Sequence, residues 1–389
     1  MLNFTHNIPT KLHFGKGAIR HLEAALRPFG TKVLLTYGGG SIKKIGLYDE
    51  VTEILRKGGF SWVELSGIEP NPRIESVAEG VRLCRENDVD VILAVGGGST
   101  IDCSKAIAVG VFFEGDDLWE MVRGTRTSKK ALPLVDILTL SATGSEFDRG
   151  GVISNLKTKE KLGAGYTYPA VSICDPTYTY SVSAYQTAAG SADIMSHIFE
   201  GYFSRTMDSD LSDGIAETIL RSVMKNCPIA LAEPDNYSAR ANLMANASVA
   251  CSGIPEYGKQ ETGWPCHAME HELSAYYDIT HGVGLAILTP RWMRYILKKD
   301  PTATPRFVRF AKNVMGLCGE DDAALAQAGI DALEAYFRST GIPMTLGELN
   351  IGEEHFNAMA EHATRVGRLE NAFVPLTRED IVEIFRACL

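Results

Sequence analysis

The stretch Val89-Asp90-Val91-Ile92-Leu93-Ala94-Val95-Gly96-Gly97-Gly98-Ser99-Thr100-Ile101-Asp102-Cys103-Ser104-Lys105 passes from a continuous apolar run into three glycines and then into a helix expected from about Thr100. An apolar run without polar alternation reads as a strand buried on both faces, the kind found in parallel sheets covered by helices. The unit recurs. Val33-Leu34-Leu35-Thr36-Tyr37 is closed by Gly38-Gly39-Gly40-Ser41, with a helix near Tyr48 to Lys57, and Leu134 to Leu140 is closed by Ser141-Ala142-Thr143-Gly144-Ser145-Glu146. Residues 1–30 read as a short edge strand or hairpin, then Phe14-Gly15-Lys16-Gly17 and a helix from about Ala18.

Ligands bind such sheets outside the carboxyl ends of the strands, where all three glycine turns fall. Glycine lets the backbone approach a phosphate, and the helix that follows offers N–H groups and a partial positive charge. The turns are not Gly-x-Gly-x-x-Gly, so the usual dinucleotide fingerprint is absent. Strand units that end in such turns still predict an α/β, Rossmann-like dinucleotide-binding domain over residues 1–182. Enzymes selective for NAD usually set a carboxylate against the adenosine ribose. Here Tyr37, three glycines, Ser41, Lys43 and Lys44 stand at the end of the first buried strand. The expectation is therefore NADP(H).

Beyond Asp175-Pro176 the strand–glycine units stop. Helical stretches follow near 185–204, 210–226, 236–252, 264–275, 281–298, 305–317, 321–340, 353–366 and 377–388, punctuated by proline and glycine. Residues 183–389 are expected to form an all-helical domain. Its chemistry concentrates in Trp264-Pro265-Cys266-His267-Ala268-Met269-Glu270-His271 and on to His281-Gly282. His267 and His271 are four apart and share a helix face, and Asp193 and His197 repeat that spacing upstream. Two such helices can converge on one metal ion.

Fourteen residues separate His267 from His281, roughly 21 Å on one straight helix. Two donors to one ion lie within about 4 Å of each other, so the chain must break between them. Ser274 to Thr280 is the place, with Thr280 a candidate N-cap for a new helix. Either His267 or His271 can be the ligand on spacing alone. His271-Glu272 looks like the start of a zinc-protease helix, but position 275, where that motif needs its second histidine, is Ala275. His6, His13, His21, His355 and His362 read as ordinary core or surface histidines. Cys266 is expected to point away from the metal, since adjacent helix residues diverge by about 100°.

The bulk numbers exclude other classes. The chain has 389 residues, a net charge of −10 and 22% charged residues. It lacks the basic balance a nucleic-acid partner needs. The eight cysteines are scattered, which fits reduced cytosolic thiols better than a disulfide framework. No apolar run approaches the ~18 residues of a membrane span.

Taken together, Gly96-Gly97-Gly98-Ser99-Thr100-Ile101-Asp102-Cys103-Ser104-Lys105, Thr143-Gly144-Ser145-Glu146, Ala192-Asp193-Ile194-Met195-Ser196-His197 and the trio His267, His271 and His281-Gly282 resemble the iron-containing (group III) alcohol dehydrogenases. The resemblance runs from Phe14-Gly15-Lys16-Gly17 to about Phe385. Tyr37-Gly38-Gly39-Gly40-Ser41-Ile42-Lys43-Lys44 is most similar to the NADPH-dependent butanol dehydrogenase and aldehyde reductase branch.

The resemblance implies a metal, iron or zinc, held by Asp193, His197, His267 and His281, with His271 beside the substrate as proton relay. It implies cofactor contacts from Gly39, Gly40, Ser41, Asn71, Gly97, Gly98, Ser99, Asp102, Thr139, Ser141, Thr143, Lys161 and Tyr178. It further implies hydride transfer between NADP(H) and small primary alcohols or aldehydes, in a cytoplasmic homodimer. Ser181-Val182-Ser183 departs from the Leu-Pro often found before the first ligand helix. Two rivals remain at this point. A sugar-phosphate lyase of the dehydroquinate synthase type would need basic residues near the metal, and stretches 191–204 and 264–284 contain neither Lys nor Arg. A non-catalytic NADP-binding sensor gives no reason for five metal-type side chains.

Overall fold

The computed structural model describes residues 1–389. Eight strands form, β1 Lys11–Phe14, β2 Lys32–Tyr37, β3 Ser61–Leu65, β4 Val91–Gly96, β5 Leu134–Leu138, β6 Gly150–Asn155, β7 Glu160–Gly165 and β8 Val171–Cys174. Six build a parallel sheet in the order β1-β8-β5-β4-β2-β3, and β6 pairs antiparallel with β7. The helices between them are α1 Leu22–Leu26, α2 Ser41–Lys44, α3 Leu47–Lys57, α4 Ile74–Glu86, α5 Gly98–Gly110 and α6 Leu118–Val122.

The apolar runs are continuous because the sheet is covered on both faces. Leu34, Ile92 and Ala94 pack with α4, α5 and α6. Their neighbours in sequence, Val33, Leu35, Val91, Leu93 and Val95, pack with α1 and α3 on the other side. The chain crosses from β2 to β3 at one edge, whereas from β4 it goes on to β5 on the opposite side. The crevice between β2 and β4 is therefore the switch point of the sheet, and the two Gly-Gly-Gly-Ser turns sit at the carboxyl ends of those two strands.

The second half is helical, with α7 Ala184–Tyr202, α8 Asp210–Ala232, α9 Tyr237–Ala250, α10 Pro265–Tyr277, α11 His281–Lys299, α12 Thr304–Asn313, α13 Asp322–Ser339, α14 Phe356–Val366 and α15 Arg378–Ala387. Two compact units result: residues 7–182 with 234–248, and residues 1–6 with 183–233 and 249–389. Most of α9 belongs to the sheet unit, where Met244 is buried in the core. Ser183, within the departure from the family pattern, caps α7 by accepting the Gln186 N–H at 3.2 Å. No helix is long and apolar enough to cross a membrane.

Candidate active site

In the helical unit, α7, α10 and α11 bring four predicted ligands together. The Nε2 atoms of His197, His267 and His281 lie 3.7, 3.9 and 3.7 Å from Asp193 Oδ1. Two donors on one ion lie within about 4 Å of each other, so this spacing suits a shared metal. The chain break predicted near Thr280 is present. Asp278 takes a left-handed conformation at φ 52°, and Thr280 is the N-cap residue of α11, although its side chain makes no capping bond. A glycine allows the approach of α11 to α7: a Cβ on Gly282 would lie 1.9 Å from the Ala189 carbonyl oxygen.

His267 and His271 separate in space. His267 is buried and groups with Asp193 and His197, whereas His271 is half-buried and groups with Glu270 and His281. The His271 and His281 ring centroids are 5.6 Å apart. Cys266 is outside both groups, as its place on the helix predicts. Burial pushes its thiol well above the ordinary value, and its partner is Thr289. Of the histidines read as ordinary, His13 stacks on His21 at 3.9 Å, while His362 bonds Glu272 at 2.6 Å.

Burial pushes the His197 pKa well below its usual value, and the nearby His267 and His281 push it the same way. The ring is thus neutral, the form a metal accepts. The buried Nε2 of His267 has no hydrogen-bond partner. An orphaned buried nitrogen facing a carboxylate and two further imidazoles is what a divalent cation would satisfy, so the donor set fits such an ion.

Two carboxylates here were not singled out from the sequence. Glu200 accepts from His267 Nδ1 at 2.9 Å, and Glu270 is bonded to His281 Nδ1. The signal was present: Glu200 lies at i+7 from Asp193, and Glu270 at i+3 from His267, on the same helical faces as the ligands.

In the sheet unit, Gly97 is the N-cap residue of α5, and the first N–H groups of a helix have no intrahelical partner. A Cβ on Gly98 would fall 2.2 Å from Thr143 Oγ1, while Gly39 and Gly40 open into space with nothing within 4 Å. Ser99 lies in the first turn of α5, and Ser41 begins α2 after Gly40 at φ 101°. The Thr139 N–H bonds the Gly96 carbonyl at 2.9 Å, so the turn carrying Ser141 and Thr143 lies beside the Gly97 turn. Asn71 adopts a left-handed φ of 52° just past β3, and Lys161 is buried on β7. Tyr178 places its hydroxyl 3.4 Å from Glu50 on α3.

Asp102 ties this region together. One oxygen takes the Ser145 hydroxyl at 2.5 Å and the other the Val152 N–H at 2.9 Å. Burial pushes its pKa up to about 6, against the opposing pull of Lys105.

The expectation that no carboxylate stands near the end of β2 needs correction. Glu64, on the neighbouring β3, accepts from Tyr37 at 2.6 Å, Tyr48 at 2.6 Å and Trp62 at 3.1 Å. Burial raises its pKa, but these bonds outweigh that and hold the carboxyl below its usual value. Lys43 lies over the rings of Tyr37 and Tyr48, 5.1 and 4.5 Å from their centroids.

Residues 9–176 match the family "Iron-containing alcohol dehydrogenase", and residues 187–389 match "Fe-containing alcohol dehydrogenase family, C-terminal". The chain belongs to the iron-containing alcohol dehydrogenase family. It is 51% identical over 390 residues to NADH-dependent butanol dehydrogenase A of Clostridium acetobutylicum, covering 99% of each chain. It is 37% identical over 355 residues to the NADPH-dependent aldehyde reductase YqhD of Escherichia coli, covering 90% of each. Among solved structures, NADH-dependent butanol dehydrogenase A of Thermotoga maritima superposes with a TM-score of 0.94 at 41% identity, covering 100% of this chain and 99% of that one. This iron-containing alcohol dehydrogenase is a metal-dependent oxidoreductase of the alcohol dehydrogenase and aldehyde reductase type, and the lyase and sensor alternatives are not favoured.

Proposed function

We propose that this enzyme interconverts small primary alcohols and aldehydes of the butanol and butanal class with NADP(H). In this reading Asp193, His197, His267 and His281 hold one divalent ion, iron or zinc. The observation that carries it is the convergence of three imidazole Nε2 atoms on Asp193 Oδ1. The substrate class rests on relatives named as butanol dehydrogenases and aldehyde reductase. When bound, the metal supplies Lewis-acid polarisation of the substrate oxygen, and the nicotinamide supplies or takes the hydride.

The chain's own part is to bind, orient and move a proton. Asp193, the buried His197 and His267 and the half-buried His281 would fix the ion's place from three helices. His271 is half-buried one helical turn from His267, where it can exchange a proton with water and pass it to the reacting oxygen. The turns at 39–41 and 97–99 cradle the phosphates with backbone N–H groups. Asn71, Asp102, Thr139, Ser141, Thr143, Lys161 and Tyr178 line or brace the same cofactor site.

NADP(H) is favoured because no side chain at Gly39 or Gly40 opposes a 2′-phosphate and Glu64 is already held by three donors. NADH is the second reading, favoured by the name of the Clostridium relative. Initial rates of NADPH and NADH oxidation with butanal decide both points. Higher kcat/KM with NADPH is expected, equal or better efficiency with NADH overturns the cofactor preference, and no turnover with either overturns the function. The reading includes a homodimer working in the cytoplasm, consistent with eight free cysteines and checked by light scattering and cell fractionation. Metal analysis of anaerobically purified protein assigns iron or zinc.

A further inference from the structure

We propose that Glu200 and Glu270 are positioning residues that set how tightly the metal is held, by fixing the tautomer, orientation and basicity of His267 and His281. The inference rests on the ligand set proposed above. It adds two residues outside that ligand set.

Each glutamate bonds the Nδ1 of one histidine and makes a second bond beside it. On α7, Glu200 takes both the His267 Nδ1, at 2.9 Å, and the His267 backbone N–H, at 2.8 Å, with the same oxygen. Trp264, the N-cap residue of α10, makes no side-chain capping bond, so Glu200 serves the first turn of α10 from the neighbouring helix. Glu270, on α10, is bonded to His281 Nδ1 at the start of α11 and to the Ser274 hydroxyl. Glu200 is 2% exposed and Glu270 0%, so water competes little for either carboxylate.

The chemistry follows from what a carboxylate can do. Ionised, it only accepts, so each Nδ1 facing one must carry the proton. The Nε2 lone pairs then point to the Asp193 side, where the three nitrogens converge. A carboxylate behind an imidazole also makes its far nitrogen more basic, and such partners tune metal affinity as well as geometry. The histidines are not treated alike. The Nδ1 of His197 is buried with no hydrogen-bond partner, so two of the three rings are braced from behind and one is not.

The test measures metal binding without turnover. Glu200→Gln and Glu270→Gln keep shape and an acceptor oxygen but lose the charge. They are compared with wild type and with His267→Ala, using cobalt(II) absorption and competition with a chelator for zinc, with NADPH binding as the check on folding. Each Gln variant should bind metal about 10–100-fold more weakly and show an altered cobalt spectrum. Glu200→Asp should recover part of the affinity, since it restores the charge. His267→Ala should bind no metal. Gln variants within about twofold of wild type, beside a metal-free His267→Ala, overturn the positioning role and leave the ligand set standing. Metal retained at full affinity by His267→Ala overturns the ligand set itself, and this inference with it.

Discussion

The sheet unit and the helical unit present ligand sites in opposite ways. At the carboxyl ends of β2 and β4 the chain offers mainly backbone, and glycines keep side chains out of the way. At the meeting of α7, α10 and α11 it offers side chains, with Gly282 letting two helices approach. The first site should be sensitive to an added Cβ where the turn is packed, as at Gly98, and to negative charge added where it is open, as at Gly39. The second should be sensitive to the loss of a single nitrogen or oxygen. Bulk added to the glycine turns tests one side of this contrast, and truncation of the ligands tests the other.

The largest expected effect is on the helical side. His267→Ala should lose bound metal and essentially all turnover while still binding NADPH. His271→Ala should keep its metal, with kcat falling by roughly 10²–10⁴ if it relays the proton. Metal content and steady-state rates on both variants check this, and the reverse metal pattern would exchange the two roles.

The matching change on the sheet side is Gly98→Ala. The new Cβ would press on Thr143 Oγ1 at 2.2 Å. Overpacking of this kind costs about 1–3 kcal/mol, and displacement of the turn should weaken NADPH binding by up to roughly 5–150-fold, with metal content unchanged. Fluorescence titration with NADPH measures it, and an unchanged dissociation constant would remove Gly98 from the phosphate site.

Gly39→Asp should act through charge. Nothing lies within 4 Å of the added Cβ, and Gly39 is not among the positive-φ glycines, so the carboxylate enters without strain. Repulsion of a 2′-phosphate by about 1–2 kcal/mol should shift kcat/KM toward NADH by roughly 5–30-fold. A variant with unaltered cofactor preference would place the adenosine ribose elsewhere.

The last effect is on stability rather than turnover and concerns a brace beneath the third glycine turn. Burial pushes the Glu146 carboxyl from 4.5 up to about 7, although the Ser248 hydroxyl, at 2.5 Å, opposes the shift. Its native pKa exceeds its unfolded one. It therefore carries no penalty at low pH, becomes progressively destabilising as pH rises from about 4.5 to about 7, and carries the full penalty above that. Glu146→Gln removes a charge but keeps an acceptor. It should gain up to roughly 1–3 kcal/mol over wild type at pH 8 and little or nothing near pH 4, read from urea unfolding at both values. A constant difference across pH would mean that Glu146 titrates normally.

Much of this was legible in the residues because strong patterns coincide with strong physics. The buried strands at 33–37 and 91–95 show as unbroken apolar runs since both their faces are covered. Helix starts in the second half fall close to their N-cap signals, as at Thr280, but two prolines do not punctuate: Pro228 lies inside α8, which runs on to Ala232, and Pro290 lies inside α11. What escaped was weakly patterned. At the sheet edge, β3 is only half-buried and carries Glu64. In the hairpin, β6 and β7 contain glycines, while β8 is four residues long and includes the buried Ser172. The run at 134–140 stops as a strand at Leu138, and the helix expected from Ala18 begins as a 3-10 turn over Ala18–His21.

At the site, the i, i+4 pairs exposed the ligands, but they could not tell His267 from His271. That distinction depends on how the chain returns from Asp278 to His281, a tertiary matter. Glu200 and Glu270 escaped because a carboxylate one helical turn from a ligand looks the same as a solvated helix face until burial is known.

The most direct test of the account is one titration on chelated enzyme. Stripping the metal with a strong chelator should abolish butanal reduction and leave the NADPH dissociation constant within about threefold of that of the loaded protein, because the phosphate turns and the metal ligands belong to different compact units. Activity should return on adding back iron or zinc. If the chelated protein no longer shifts NADPH fluorescence, or still reduces butanal at the original rate, the division between a backbone cofactor site and a side-chain metal site is wrong.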